Sequence, residues 1–388
     1  MKRTTLFLSG IAFACVVAGA SLRADAETIT DSTPVPPVGA LGGPDRDLTP
    51  AELDQWTRGR RVFDRDWRPS AGLGRPDMNG DSCRACHQDP IIGGAGGLDL
   101  NVTRFGFDNG GIGPFQDLPG GQIASRLRNP LVLGREEAAT TADVFETRNS
   151  PSLLGLGLVD RIPAANILAN EDPTDSNGDL IRGVARFVSA GGLPTLSRFG
   201  WKAQVPSLDD FLHDALGEEL GITTVDNGNG FGVFSDADPV SDPEITTPEF
   251  EDVRFFLTHL AAPPRAGSTS PEVALGEQLF ATVGCAQCHI PSLDSPDGPV
   301  PLYSDLLLHD VHPTSFRGMA EPGADVGMYR TPPLWGIRLS APYFHDGASE
   351  TLLAAVLRHD GEAANVRAAF VGLSANDQAA LIRFLEDL

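Results

Sequence analysis

Apolar residues recur with a helical period in two pairs of segments, one pair in each half of the chain. The segment that ends in Gly-Arg-Arg-Val-Phe at 59–63 parallels the one that ends in Gly-Glu-Gln-Leu-Phe at 276–280, and segment 253–260 parallels segment 381–388. Serine or threonine followed closely by proline or an acidic residue opens each segment, as is typical of helix N-termini. The pattern predicts an internal repeat whose units each begin and end with an amphipathic helix.

Each predicted unit has the order helix, Cys-x-x-Cys-His, loops, helix, which is the order of a cytochrome c fold. An Ala-Ala-Pro-Pro sequence at 261–264 has the composition of a linker. We therefore predict a mainly α protein with two cytochrome c-type domains, an N-terminal one over 47–262 and a C-terminal one over 268–388. With 43 glycines and 31 prolines, long ordered loops and few strands are expected between the helices.

The N-terminus has the pattern of a secretory signal peptide over residues 1–26. Two basic residues precede an apolar run over 6–20, and an Ala-Asp-Ala cleavage site follows. Because the run is short for a membrane span and no other stretch qualifies, we expect export to the periplasm without a membrane anchor. Lipidation of Cys15 is an alternative that its sequence context disfavours. The proline-containing residues 27–46 predict a disordered tether.

The charge of the chain restricts its partners. The formal net charge is −23, and the leader carries three basic residues and one acidic residue, so the mature chain is near −25. Such acidity argues against nucleic acid and anionic membrane surfaces as partners. It is compatible with a small, basic redox protein that donates or accepts electrons.

The two Cys-x-x-Cys-His sequences contain all four cysteines that remain after the leader, so none is left for a disulfide. In such a motif the two thiols add to the vinyl groups of a haem and the histidine ligates its iron. We therefore predict two covalently bound haems c. The residues concerned are Cys83, Cys86 and His87 for the first haem and Cys285, Cys288 and His289 for the second.

The sixth iron ligand decides whether a haem only transfers electrons or also binds an oxidant. No histidine or methionine lies between His87 and His213, Met78 is too close to the first motif, and His259 lies in a predicted helix. The asymmetry predicts one fully ligated haem and one open haem, as in a peroxidase-like enzyme. A two-haem electron carrier with a missed ligand is the alternative. The candidates for the second haem are His309, His312, Met319, Met328, His345 and His359.

Several stretches of the chain resemble the di-haem oxidoreductase family, which is grouped with the bacterial di-haem cytochrome c peroxidases and the methylamine-utilisation di-haem enzyme. The resemblance covers roughly residues 50–388. It implies a peroxidase-like oxidoreductase with hydrogen peroxide as its oxidant, or an enzyme that oxidises an organic or protein substrate through high-valent haem iron. The stretches that carry it are 148–159, 198–203, 302–310, 329–337 and the Ala-Pro-Tyr-Phe-His-Asp-Gly sequence at 341–347.

The resemblance also implies ligands for the second haem. In the peroxidases, a methionine fourteen residues past the histidine that matches His345 ligates this haem, and in the methylamine enzyme a tyrosine does so. Here that position is His359, so His289 and His359 are the expected axial pair. His345 and His309 would then be cofactor-binding groups around a haem propionate or the ligand loop.

The chain departs from the family at two positions near the first haem. Thr103 stands where the peroxidases carry a removable histidine ligand, and Gly157 stands where they carry a proton-moving glutamate. The first haem is therefore expected to be open, with its acid at another position. Glu146, Asp160 and Glu171 are the candidate acids, and Arg104 and Arg148 are the candidate distal arginines.

Residues 172–179 resemble a calcium-binding loop, because oxygen-bearing side chains alternate along them. Asp175, Asn177 and Asp179 are the candidate ligands. Leu180 stands where the turn glycine of an EF-hand would be, so an ordinary Asp/Asn turn is the alternative.

Overall fold

The computed structural model describes residues 33–74, 79–118 and 138–388, together with the backbone of 123–124, so the predicted signal peptide lies outside the described residues. Helices are the main regular structure there, as predicted, and the strands are short. The α-helices are α1 (Pro50–Asp64), α2 (Cys83–Cys86), α3 (Leu156–Asp160), α4 (Ala164–Leu168), α5 (Leu208–Ala215), α6 (Thr247–Thr258), α7 (Pro271–Val283), α8 (Leu352–Arg358), α9 (Ala364–Val371) and α10 (Ala375–Asp387). The strands are β1 (Val102–Gly106), β2 (Ile123–Ala124), β3 (Val144–Arg148), β4 (Arg186–Ala190), β5 (Leu193–Ser197), β6 (Leu293–Ser295), β7 (Gly298–Val300), β8 (Leu308–Asp310) and β9 (Met328–Arg330).

The predicted repeat is confirmed by two equivalent helix crossings, of α1 with α6 and of α7 with α10. At each crossing, a glycine lets the backbones approach closely. A Cβ atom at Gly59 would lie 1.9 Å from the carbonyl oxygen of Asp252, and one at Gly276 would lie 2.1 Å from that of Ala380. These distances leave no room for a side chain, so glycine is required at the same point of both units.

Aromatic side chains fill both crossings. Trp56 and Phe63 contact Phe256, with ring centroids 5.0 and 5.5 Å apart. In the second crossing, Phe280 and Phe384 have centroids 5.3 Å apart. All five side chains are buried, and burial of each contributes about 1.5–3 kcal/mol. The apolar stripes seen in the sequence therefore form the contact surfaces of the two helix pairs.

Side-chain caps begin the four long helices. Thr49 forms a capping box at α1, and Ser270 and Ser374 accept backbone hydrogen bonds at α7 and α10. At α6 the sequence offers two adjacent threonines as the cap. Thr246 is the cap, because its hydroxyl accepts from the backbone three residues later, and Thr247 is already helical.

The strands form small antiparallel sheets, and the largest has the order β2-β1-β3. Its register pairs Arg104 with Glu146 and Val102 with Arg148. The sheet thereby brings together three of the five side chains that the sequence proposes as catalytic candidates. The other strands form the hairpins β4–β5 and β6–β7 and the pair β8–β9.

The buried core of the first helix pair extends beyond residue 264. Residues 293, 300, 302, 306 and 307 pack with the core around α1 and α6, and the smaller second core surrounds α7 and α10. The division of the chain into domains at 262 and 268 stays a prediction.

The predicted tether is wrong for its described part, residues 33–46. Arg60 donates to the carbonyl of Pro34 at 3.0 Å, and Pro44 forms a β-bridge with Leu260. Ala261 of the predicted linker in turn donates to the carbonyl of Gly43. Proline-rich backbone is ordered here because its carbonyl groups meet donors from α1 and from the end of α6.

None of the described helices combines the length and the apolar character that crossing a bilayer requires.

Candidate functional site

The first Cys-x-x-Cys-His sequence forms the short helix α2, and His87 lies at its end. Its ring Nδ1 is 3.0 Å from the carbonyl oxygen of Pro151 and 3.3 Å from that of Gly94. Carbonyl oxygens only accept hydrogen bonds, so Nδ1 carries the proton and donates, and Nε2 keeps its lone pair for a metal. Burial lowers the pKa of His87 to about 4, which also favours the neutral ring.

His289 and His359 have the same arrangement in the second half. Nδ1 of His289 donates to the carbonyl of Tyr303 at 3.0 Å, and Nδ1 of His359 donates to that of Ala355 at 2.9 Å. Burial, and then the proximity of His359, lower the pKa of His289 to about 4, and burial lowers the pKa of His359 as well. The two neutral imidazoles lie close together, each with Nε2 available.

These three histidines and all four motif cysteines line one cavity of about 840 Å³, so both motifs open into a shared space. The cysteines are free thiols. Burial raises the pKa of Cys83 and of Cys285 to about 12, so both thiols are protonated. The cavity thus has the donor set of two c-type haem sites: two thiol pairs, two proximal histidines and one additional histidine.

Three side chains that line the cavity are suited to bind the propionate carboxylates of a haem. Arg330 is buried and donates to the carbonyls of Gly200 and Thr331, and it has no carboxylate partner among the described residues. Burial lowers its pKa to about 10. His312 Nε2 and His345 Nδ1 are buried without a hydrogen-bond partner in the described part of the chain. A buried cation and unpaired polar atoms are costly, and an anionic propionate would compensate them.

Arg104 and Arg148 line the same cavity and are held by one carboxylate. Glu321 accepts from both arginines, each at 2.7 Å through Oε1, and its Oε2 accepts from Arg186 at 2.7 Å. Although burial raises the pKa of Glu321, the three guanidinium groups hold it at about 2. The cluster has a positive excess in a strongly acidic protein, and it fixes the orientation of both candidate arginines.

The candidate acids Glu146, Asp160 and Glu171 do not line the cavity, which is a correction to the sequence analysis. Glu146 accepts from Arg148 Nε at 2.7 Å, from the Met319 amide at 2.8 Å and from the Tyr329 hydroxyl at 2.9 Å. Burial raises the pKa of Glu146, but the charge of Arg148 and the hydrogen bond from the Met319 amide outweigh burial and hold the pKa below its usual value. The carboxylate is therefore ionised. It orients Arg148 instead of supplying a proton.

The two histidines predicted to bind cofactor behave differently. His309 lies beside Cys288, but its ring nitrogens are engaged by Asp305 at 2.8 Å and by Glu362 at 3.1 Å. Burial lowers its pKa, yet Asp305, Cys288 and Glu362 together raise it well above the usual value. His309 is therefore a buried cation paired with protein carboxylates. Of these two histidines, only His345 keeps a ring nitrogen free for a haem propionate.

The two other histidines of the first half, His213 and His259, are not placed beside His87. His213 is buried, with Nδ1 2.7 Å from the Thr224 hydroxyl, and His259 pairs with Asp45 at 3.0 Å. Neither lines the cavity. Gly157 does not face the cavity either, because a Cβ atom there would lie 1.9 Å from the carbonyl oxygen of Thr258 in α6. A glutamate at this position would not fit.

The sequence analysis missed the carboxyl groups in the cavity wall, among them that of Asp214 on α5. Burial, followed by the charges of Glu218 and Glu219, raises its pKa to about 7. The available signal was an acidic residue inside an amphipathic helix whose apolar face is buried. Arg330 and Glu321 were also missed, since the sequence around an isolated charged residue gives no indication that the residue is buried.

The predicted calcium ligands take part in turn hydrogen bonds. Asp175 accepts from the amide of Leu180, Asn177 from that of Asp179, and Asp179 from that of Ile181. Their carboxylates do not converge with a third one, whereas Asp236, Asp238 and Glu244 do.

Comparison with known proteins identifies the family. The family model described as "Di-haem oxidoreductase, putative peroxidase" matches residues 139–388, which is more than half of the chain. The chain belongs to this family. The predicted resemblance is thereby confirmed, and this member of the di-haem oxidoreductase family is an oxidoreductase of the peroxidase-like kind. A search of curated proteins finds no match.

Three solved structures illustrate the structural similarity. Hydrazine synthase of Kuenenia stuttgartiensis is 16% identical, with coverage of 93% of this chain and 98% of that chain, and a TM-score of 0.42. The diheme peroxidase BthA of Burkholderia thailandensis is 17% identical, with coverage of 88% and 86% and a TM-score of 0.43. A MauG-like protein associated with microbial copper homeostasis is 17% identical, with coverage of 90% and 93% and a TM-score of 0.41.

Proposed function

We propose that this protein is an exported di-haem c-type oxidoreductase in which hydrogen peroxide reacts at an open haem held by His87. The haem held by His289 and His359 would transfer electrons. The asymmetry of the histidines carries the proposal: two imidazoles with free Nε2 atoms lie together in the second half, whereas neither His213 nor His259 of the first half lines the cavity with His87.

Each haem, when bound, supplies an iron that exchanges electrons and, where a coordination position is open, binds peroxide. The chain supplies the surroundings. The cysteine pairs would form thioethers, and the backbone carbonyls that accept from Nδ1 hold each imidazole in the ligating tautomer. Arg330 and His345 would hold the haem propionates. Arg104 and Arg148 would place positive charge beside the reacting peroxide.

The setting of this reaction follows from the sequence. The leader-like residues 1–26 support export to the periplasm, where cytochrome c-type domains over 47–262 and 268–388 would be assembled. A small redox protein would exchange electrons with the second haem, and the net charge of −23 would attract a basic partner. The side chains of Asp175, Asn177 and Asp179 accept backbone hydrogen bonds of their own turn, which favours an ordinary Asp/Asn turn over a calcium site.

Spectra of the fully oxidised protein with cyanide and with peroxide test the proposal. The first haem should be high-spin or water-bound and should bind one cyanide per protein without prior reduction of the second haem. As a matched variant, His359→Ala opens the second haem and should raise the stoichiometry to two cyanides. If both haems of the wild type are low-spin and neither binds cyanide or reacts with peroxide, the proposal is overturned in favour of an electron carrier.

The same experiment distinguishes the oxidation of another substrate. Fast peroxide binding followed by slow peroxide turnover with a reduced redox protein would favour oxidation of an organic or protein substrate through high-valent haem iron. Steady turnover with the redox protein would support peroxide reduction as the reaction.

A further inference from the structure

Asp214 directs a carboxyl group into the cavity that contains His87. It lies near the end of α5, where the helix continues into a π-helical turn over Leu216–Leu220. Its carboxyl makes no hydrogen bond or ion pair with the described residues, although most of the side chain is enclosed. Carboxyl groups in such surroundings normally have a partner, so this one is available to a ligand.

Two of the other carboxyl groups in the cavity wall differ from that of Asp214, because they have hydrogen-bond partners. Glu321 is engaged by three arginines, and Glu219 accepts from the side-chain amide of Asn79 at 2.9 Å. The backbone carbonyl of Glu219 also accepts from the amides of Asn79 and Gly80, just before the first haem motif. The π-helical turn that follows Asp214 is therefore anchored beside the attachment point of the first haem.

We propose that Asp214 is the general acid of the first haem pocket, which holds a proton and delivers it to bound peroxide. This inference rests on the proposed function and adds to it the acid that Gly157 does not provide. Peroxide reduction takes up two electrons from the redox partner and two protons, breaks the O–O bond and releases two waters. One proton would pass from the Asp214 carboxyl to the leaving oxygen, and solvent would supply the second and reprotonate the carboxylate.

The charges around Asp214 suit this role. Burial and the negative charges of Glu218, Glu219 and Glu321 favour the protonated form, and Arg104 opposes them. Together they raise the pKa of Asp214 to about 7. A general acid is most effective when its pKa lies near the working pH. The proton is held below about pH 7 and lost above it.

The experiment uses the holoprotein and follows cyanide binding and the peroxide reaction as functions of pH. Cyanide binds as the neutral acid and must give up a proton, so wild type should show an inflection near the pKa of Asp214. In Asp214→Asn this inflection should disappear, and the peroxide reaction at pH 6 should slow by about 10²–10⁴-fold. Asp214→Glu should restore part of the rate.

Two control variants separate the acid from general charge effects. Glu218→Gln removes a neighbouring negative charge and should move the inflection to lower pH without abolishing it. Asp209→Asn, at an exposed position of the same helix, should leave the profile unchanged. If Asp214→Asn binds cyanide and reacts with peroxide as wild type does, Asp214 is not the acid, although the open haem stands. If wild type itself binds no cyanide, the proposed function fails instead.

Discussion

At the scale of single residues, His359 is the proposed sixth ligand of the second haem and would set its ligand field. Its Nδ1 donates to the carbonyl of Ala355, which leaves Nε2 for the iron. His359→Met should raise the reduction potential of this haem by on the order of 100 mV or more, because a thioether favours ferrous iron. A potentiometric titration of the protein measures the change. An unchanged bis-histidine spectrum would instead assign the ligand to His309, His312 or His345, and His345→Ala serves as the control that keeps the low-spin spectrum.

The second prediction for a single residue concerns the contribution of the buried cation His309 to stability. Removing it leaves Asp305 and Glu362 without their partner, so His309→Gln should lower the free energy of unfolding by about 3 kcal/mol near pH 6. The folded-state pKa of His309 is raised well above the usual value. Its stabilisation is therefore complete below about pH 6.5 and is lost as the pH rises through the folded-state pKa.

Denaturant titrations across this pH range measure the difference in the free energy of unfolding between wild type and His309→Gln. This difference should become smaller towards high pH. His259→Gln is the control and should cost less, because Asp45 keeps Arg161 as a partner. A difference that stays constant or widens with pH would show that His309 is neutral in the folded protein.

At the scale of elements, the two helix crossings depend on one glycine each. Gly59→Ala and Gly276→Ala should each lower the free energy of unfolding by about 1–3 kcal/mol, because the new methyl group meets a backbone carbonyl of the crossing helix. The intrinsic preference of alanine for helices, about 1 kcal/mol, opposes this only in part. Urea unfolding measures the effect. Gln278→Ala, at an exposed position of α7, should change stability by less than about 0.5 kcal/mol, and equal effects at 276 and 278 would contradict the close approach.

At the scale of the whole molecule, the two halves should each carry one covalent haem. The denatured wild type should have a mass equal to the polypeptide plus two haems. Cys83→Ala with Cys86→Ala should lose one haem, and Cys285→Ala with Cys288→Ala should lose the other, because thioether bonds survive denaturation. Intact-protein mass spectrometry gives the count. Retention of both haems in either double variant would contradict the attachment sites.

Most of the fold that the sequence predicts correctly is local in origin. The caps Thr49, Ser270 and Ser374 act on residues three positions away, and helical periodicity exposes the apolar stripes directly. Strand pairing was underestimated, because short strands in glycine-rich sequence have little periodic signal. The tether was misjudged because composition does not reveal that Arg60 supplies a donor for Pro34.

The sequence by itself determined the two haem motifs, their histidines and the repeat of helices, since each depends on neighbouring residues with fixed chemistry. Only the tertiary structure decided which charged groups face the cavity. Glu146 and Asp214 are both acidic residues in amphipathic elements, but Arg148, Met319 and Tyr329 engage the former and no described residue engages the latter. Protonation states and ligand positions in this protein depend on contacts such as that of Arg104 with Glu321, which join residues far apart in the chain. Such contacts leave no pattern in the sequence.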